Sequence, residues 1–190
     1  VSRAYLTVLV FQGIAAVAAL AALRWLGAYV APEVFGTYTL YMSVVSASAL
    51  LLVSWPNAAL LRFGREEWTR DGHVGRTLGT RLALLGASLA VALLVAAALS
   101  TPLQRFLGVD QSPFPWIMAG VVAAAVSDLA VYLSQAVGRA EVYGYSPAVT
   151  RVGFFVAVVA IPLLPFEPHW TYLAGWWAAS AFAASLVSVA

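Results

Sequence analysis

Residues 82–100, LALLGASLAVALLVAAALS, contain no charged side chain. A helix of about 20 residues of this character matches the hydrocarbon thickness of a bilayer. Five further stretches approach the same length and apolarity, so six crossings are expected, over residues 4–23, 37–61, 82–100, 115–137, 148–164 and 170–190. Composition agrees: 63% of the 190 residues are hydrophobic and 9% are charged, against about 25% charged in a soluble domain. Too few polar side chains are present to clothe a water-facing surface. The expected fold class is all-α, a polytopic membrane protein built as a six-transmembrane-helix bundle.

The first stretch is too long for the apolar core of a signal peptide, which runs to about 7–15 residues, and reads as an uncleaved crossing. Pro162 and Pro165 bound the fifth. Arg151 is expected in the first turn of that crossing, where it can snorkel, with Ser146–Pro147 as its cap and first helical position. Pro56 is expected to kink the second crossing near its inner end. The connections are short, and the one over residues 62–81 reads as a solvated, arginine-rich loop. With the N-terminus in the cytoplasm, Arg3, Arg62, Arg65, Arg70, Arg76, Arg81, Arg139 and Arg151 fall inside, and only Arg24 and Arg105 outside. That asymmetry is the positive-inside pattern. Trp170 and Tyr172 then fall at the outer interface, where an aromatic belt is expected.

Asp128 interrupts the run AAAVSDLAVYLSQ near the middle of the fourth crossing. A central aspartate costs about 2.5–3.5 kcal/mol to insert, so it is expected to face a bundle interior or a wet cavity. Tyr132, Gln135 and Arg139 follow at i+4, i+7 and i+11, and Val121, Ala124 and Ala125 continue the same stripe. Either Asp128 is a paired packing residue, or it lines a cavity and binds a cation, a proton or a substrate hydroxyl. Gln12 lies near the middle of the first crossing. Ser43, Ser46, Ser54 and Asn57 recur at helical spacing in the second, a pattern typical of packing between membrane helices. Arg24 and Arg62 sit at opposite ends of the first two crossings, and their guanidinium groups suit bidentate binding of phosphate.

Several functions are disfavoured. There is no cysteine, which removes disulfides, thiolate catalysis and Cys-ligated metals. No basic tract with interleaved aromatics points to nucleic acid. His73 and His169 lie in opposite loops without helical metal-ligand spacing. No nucleophile elbow or phosphate-cradling glycine loop is present, so no enzyme, cofactor or metal centre is expected.

The stretch LRWLGAYVAPEVFGTYTLYMSVVSASALLLVSWPNAALLRF, residues 23–63, resembles the polysaccharide and O-antigen flippases of the multidrug/oligosaccharidyl-lipid/polysaccharide exporter superfamily. The resemblance rests on Arg24, Leu26, Gly27, Pro32, Glu33, Phe35, Gly36, Tyr38, Arg62 and Phe63. It extends to YLSQAVGRAEVYGYSPAVTR, with Gln135, Gly138, Arg139 and Tyr143. It implies one six-helix lobe of a 12–14-helix transporter that pairs with a second lobe around a central cavity, in the bacterial plasma membrane. The chain would be the N-terminal lobe, a fragment or a truncated product. The implied cargo is undecaprenyl-pyrophosphate-linked glycan, with glycan-assembly enzymes as possible neighbours. Arg24 and Arg62 would attract the pyrophosphate. Tyr132, Gln135, Gln12 and Asn57 would meet the substrate. Asp128 would couple an ion or proton, or hold an arginine in place. Two alternatives are a multidrug or cation antiporter lobe of the same superfamily, and a non-transporting scaffold of a glycan-assembly complex.

Overall fold

A computed structural model describes residues 3–51, 56–107, 112–139, 141–165 and 167–189. Among them the chain is helical with no strand: α1 (Arg3–Tyr29), α2 (Pro32–Ala49), α3 (Asn57–Asp71), α4 (Gly75–Leu107), α5 (Phe114–Ala136), α6 (Val142–Val159), a 3-10 turn at Ile161–Leu163, and α7 (Trp170–Val189). Four stretches are long and apolar enough to cross a membrane: Tyr5–Tyr29, Gly75–Val95, Phe114–Ala136 and Val142–Leu163. The protein is an all-helical membrane protein by that measure.

The helix boundaries differ from the apolar segments in three places, each for a local reason. Within the segment 37–61 two helices are described. α2 stops at Ala49 and α3 starts at Asn57 with Pro56 as its N-cap. Pro56 stands before the first turn of α3, where a residue without an amide hydrogen is tolerated, and the kink expected there involves residues that are not described. Residues 52–55, Ser54 among them, lie outside the described residues. The connector over 62–81 is mostly helical. α3 runs through arginines and glutamates to Gly72, whose φ of 72° ends it with its N–H donating a 2.9 Å hydrogen bond to the Trp68 carbonyl. Left-handed backbone of this kind suits glycine. α4 begins only a few residues later at Gly75, so its 33 residues extend about 50 Å, well beyond the hydrocarbon core.

The third difference concerns Arg151. α6 starts at Val142, with Pro147 inside it, so Ser146–Pro147 is not a cap and Arg151 sits at mid-helix. Proline is accommodated here because it lies near the helix start, where one lost bond is cheaply replaced.

α5 is the central helix, packed against α2, α3, α4, α6 and α7. Glycines set the closest approaches, as small residues do between membrane helices. A methyl added at Gly144 of α6 would lie 2.8 Å from Val8 Cα of α1, and one at Gly120 of α5 would lie 2.5 Å from the Tyr41 hydroxyl of α2. Tyr41 donates to the Trp116 carbonyl at 3.0 Å. Rings of Tyr38, Tyr41, Phe154, Trp116 and Trp170 form a chain of aromatic contacts with centroids 5.7 to 6.4 Å apart. Trp170 is consequently 2% exposed. It is a core residue of the α2–α5–α7 junction, not a member of a lipid-facing belt.

Candidate functional site

Two polar regions occur on the helices long and apolar enough to cross a membrane and on their neighbours. The first surrounds Asp128. α5 presents Asp128, Tyr132, Gln135 and, just past its end, Arg139, all half-buried. Asp128 acts electrostatically on Arg81 of α4 and on Tyr132. Arg81 is 3% exposed and donates to the Asn57 side-chain oxygen from Nε at 3.0 Å and from Nη2 at 2.9 Å. Asn57 is fully buried, and its Nδ2 has no hydrogen-bond partner among the described residues. Three helices thus bring an amide, a guanidinium and a carboxylate together. A buried cation flanked by an acceptor and an anion is the arrangement that keeps an arginine inside a low-dielectric bundle. In the sequence Asp128 stands out by its insertion cost and Asn57 by its spacing, whereas Arg81 reads as a positive-inside residue only. Its one available signal was position, as the last charge before the apolar run 82–100.

Arg81 also lines an open cleft of about 480 Å³ between α3 and α4, together with Arg70, Arg76, Thr77, Thr80 and Glu66. Glu67 closes one end. It is 6% exposed, and its carboxylate accepts from the Arg76 amide at 2.9 Å and the Thr77 amide at 2.8 Å. It therefore caps α4 from across the turn. Bonds from the Thr77 side chain and amide, then from the Arg76 amide, hold its pKa down to about 2. Glu67, Asp71 and His73 place ligand atoms within 4.8 Å of one another, a set able to approach a metal ion. Both Glu67 oxygens are engaged in the cap and both Asp71 oxygens bond Arg70 at 2.9 and 2.8 Å. The cluster thus has a complete structural role as the α3–α4 turn. Arg62 projects from α3 into solvent, 3.8 Å from Glu66 and over the Phe63 ring.

The second polar region lies on α1, α2 and α6. Arg151 and Gln12 are exposed near the middles of their helices. Arg151 borders a groove of about 200 Å³ with Ala19, Leu23, Tyr38, Thr39 and Trp177, and acts electrostatically on Tyr38. Gln12 lies two turns before Ala19 on the same stripe of α1, and Ser43 lies one turn after Thr39 on α2. Arg24 is exposed towards the far end of α1. The candidate residues therefore divide. Asp128, Asn57, Tyr132 and Gln135 belong to the α3–α4–α5 region, Gln12 to the α1–α2–α6 face, and Arg24 and Arg62 to neither.

Compared with known proteins, the chain matches no family model, no curated protein and no solved structure.

Proposed function

We propose that the chain is the N-terminal lobe of a flippase for lipid-linked oligosaccharide, related to the polysaccharide and O-antigen exporters. It would cross the bacterial plasma membrane six times, with its N-terminus in the cytoplasm. In this reading α2 and α3 together make the second crossing and α7 makes the sixth.

One observation carries the reading. Arg151 and Gln12 stand exposed at mid-helix on α1 and α6, two of the helices apolar enough to cross a membrane. A charged side chain at that depth faces water or another protein, not acyl chains. A second lobe covering this face would enclose a wet passage for the glycan headgroup, with the undecaprenyl tail left in the bilayer. Arg151 joins Arg24 as a positive group toward the pyrophosphate. Asp128 would act chiefly by holding Arg81, and Tyr132 and Gln135 would meet sugar. A scaffold reading draws on that same Arg81–Asp128 coupling, which gives the acid a structural task.

The absence of native cysteine makes the test direct. Gln12→Cys and Thr39→Cys are expected to react in cells with a membrane-impermeant maleimide, and Arg151→Gln is expected to lower glycan export at normal protein level. No labelling at either position, together with unchanged export, would leave the scaffold as the better account.

A further inference from the structure

We propose that the α3–α4 cleft and an apolar groove beyond it form one site for an anionic glycerophospholipid of the surrounding bilayer. Its phosphate would lie against Arg76 at the mouth of the cleft, and one acyl chain would run along α4. This stands independently of the flippase reading.

The argument begins with one stripe of α4. Thr77, Arg81 and Leu84 line the cleft, and Ala92, Val95 and Leu99 line a second hollow of about 290 Å³ against α2 and α5. These positions recur at helical spacing, so the polar hollow and the apolar one lie on a single face of α4, with about two turns between Leu84 and Val91. From Arg81 to Val95 the helix rises about 20 Å, the depth of one leaflet from headgroup to midplane. The apolar hollow is bounded by Val44, Leu51, Ile117 and Met118 and opens beside Val91 and Val95, each about half exposed. That is the shape and chemistry of a chain slot facing lipid.

Charge selects the headgroup. Of the acids in the cleft, Glu67 is engaged in capping α4 and Glu66 faces Arg62. Arg70 is held by Asp71. Arg76 is exposed, and among the described residues its guanidinium has no ion-pair partner. The planar fork of an arginine matches the anionic oxygens of a phosphate diester. A zwitterionic headgroup would bring its own cation into a cleft already lined by arginines. The apolar continuation disfavours a soluble phosphate.

The test uses the purified intact chain in detergent, titrated with tail-labelled phosphatidylglycerol and phosphatidylcholine. Phosphatidylglycerol is expected to bind more tightly. Arg76→Gln, an exposed change that leaves the fold intact, should weaken it about fivefold and leave phosphatidylcholine unaffected. Val95→Trp should fill the slot and weaken both lipids. Arg65→Gln, a control outside the cleft, should change neither. Equal affinity for the two lipids, or indifference to Arg76→Gln, would overturn the proposal. Full displacement of phosphatidylglycerol by an equimolar polyprenyl diphosphate would also overturn it, by making the isoprenoid the occupant.

Discussion

Arg81 of α4 donates two hydrogen bonds, at 3.0 and 2.9 Å, to the single side-chain oxygen of Asn57 in α3, with both residues shut away from solvent. The bonds tie the first turn of α3 to α4 at the level where Asp128 of α5 acts on the same guanidinium. α3 is thus fastened to α4 by a polar clamp, where helices of a membrane bundle would otherwise rely on packing alone.

Breaking the clamp on one side leaves a group without its counterpart. Arg81→Leu should cost about 2 kcal/mol, less than a fully buried pair because Asp128 is only half-buried. Arg81→Leu with Asp128→Leu should cost less than the two changes summed, by about 1 kcal/mol. Denaturant unfolding of the detergent-solubilised protein provides the cycle. Strict additivity would show that the two residues do not interact.

Gly144 is expected to tolerate no side chain. A methyl there would lie 2.8 Å from the Val8 backbone, whereas one at Gly13 would meet nothing within 4 Å. Gly144→Val should destabilise by about 1–3 kcal/mol through overpacking, and Gly13→Ala should be neutral or slightly stabilising. Thermal unfolding of both variants, with fluorescence transfer between labels on α1 and α6, measures the difference.

The Glu67 cap predicts a specific pH response. Its folded pKa, about 2, lies below the ordinary 4.5. Its contribution is therefore present above the unfolded value and is lost as pH falls from about 4.5 through about 2. Amide exchange at Arg76 and Thr77 should quicken over that window. Glu67→Gln should produce several-fold faster exchange at neutral pH, and acid should then add little.

Arg62 should be dispensable for folding. It and Glu66 are exposed and 3.8 Å apart, and such pairs contribute about 0–1 kcal/mol. Arg62→Gln should leave the melting temperature within error. A fall in glycan export in the same variant would then report substrate contact and not a loss of fold.

Hydropathy alone picks out stretches that overlap α1, α4, α5 and α6, the helices long and apolar enough to cross a membrane among the described residues. It leaves the start of α3 at Asn57 unmarked, since an apolar run carries no boundary of its own and only Pro56 stands there. Arg151 was misplaced for a related reason. Ser146–Pro147 has the composition of a helix start, yet Gly144 must lie inside α6 to meet Val8 of α1, and that requirement belongs to another helix. Arg81 is the clearest case. Its partners, Asn57 and Asp128, belong to different helices, and no local spacing announces a three-helix contact. Asp128, by contrast, stood out on insertion cost alone.

The seat of Val8 against Gly144 bears on how the protein is made. α1 packs chiefly on α6 and only lightly on α2, and at about 5–20 residues per second of synthesis these partners emerge on the order of ten seconds apart. Throughout that interval the strip of α1 around Val8 must be sheltered by acyl chains or by the insertion machinery. A nascent chain stalled before Val142 would leave this helix orphaned, a natural signal for quality-control proteolysis.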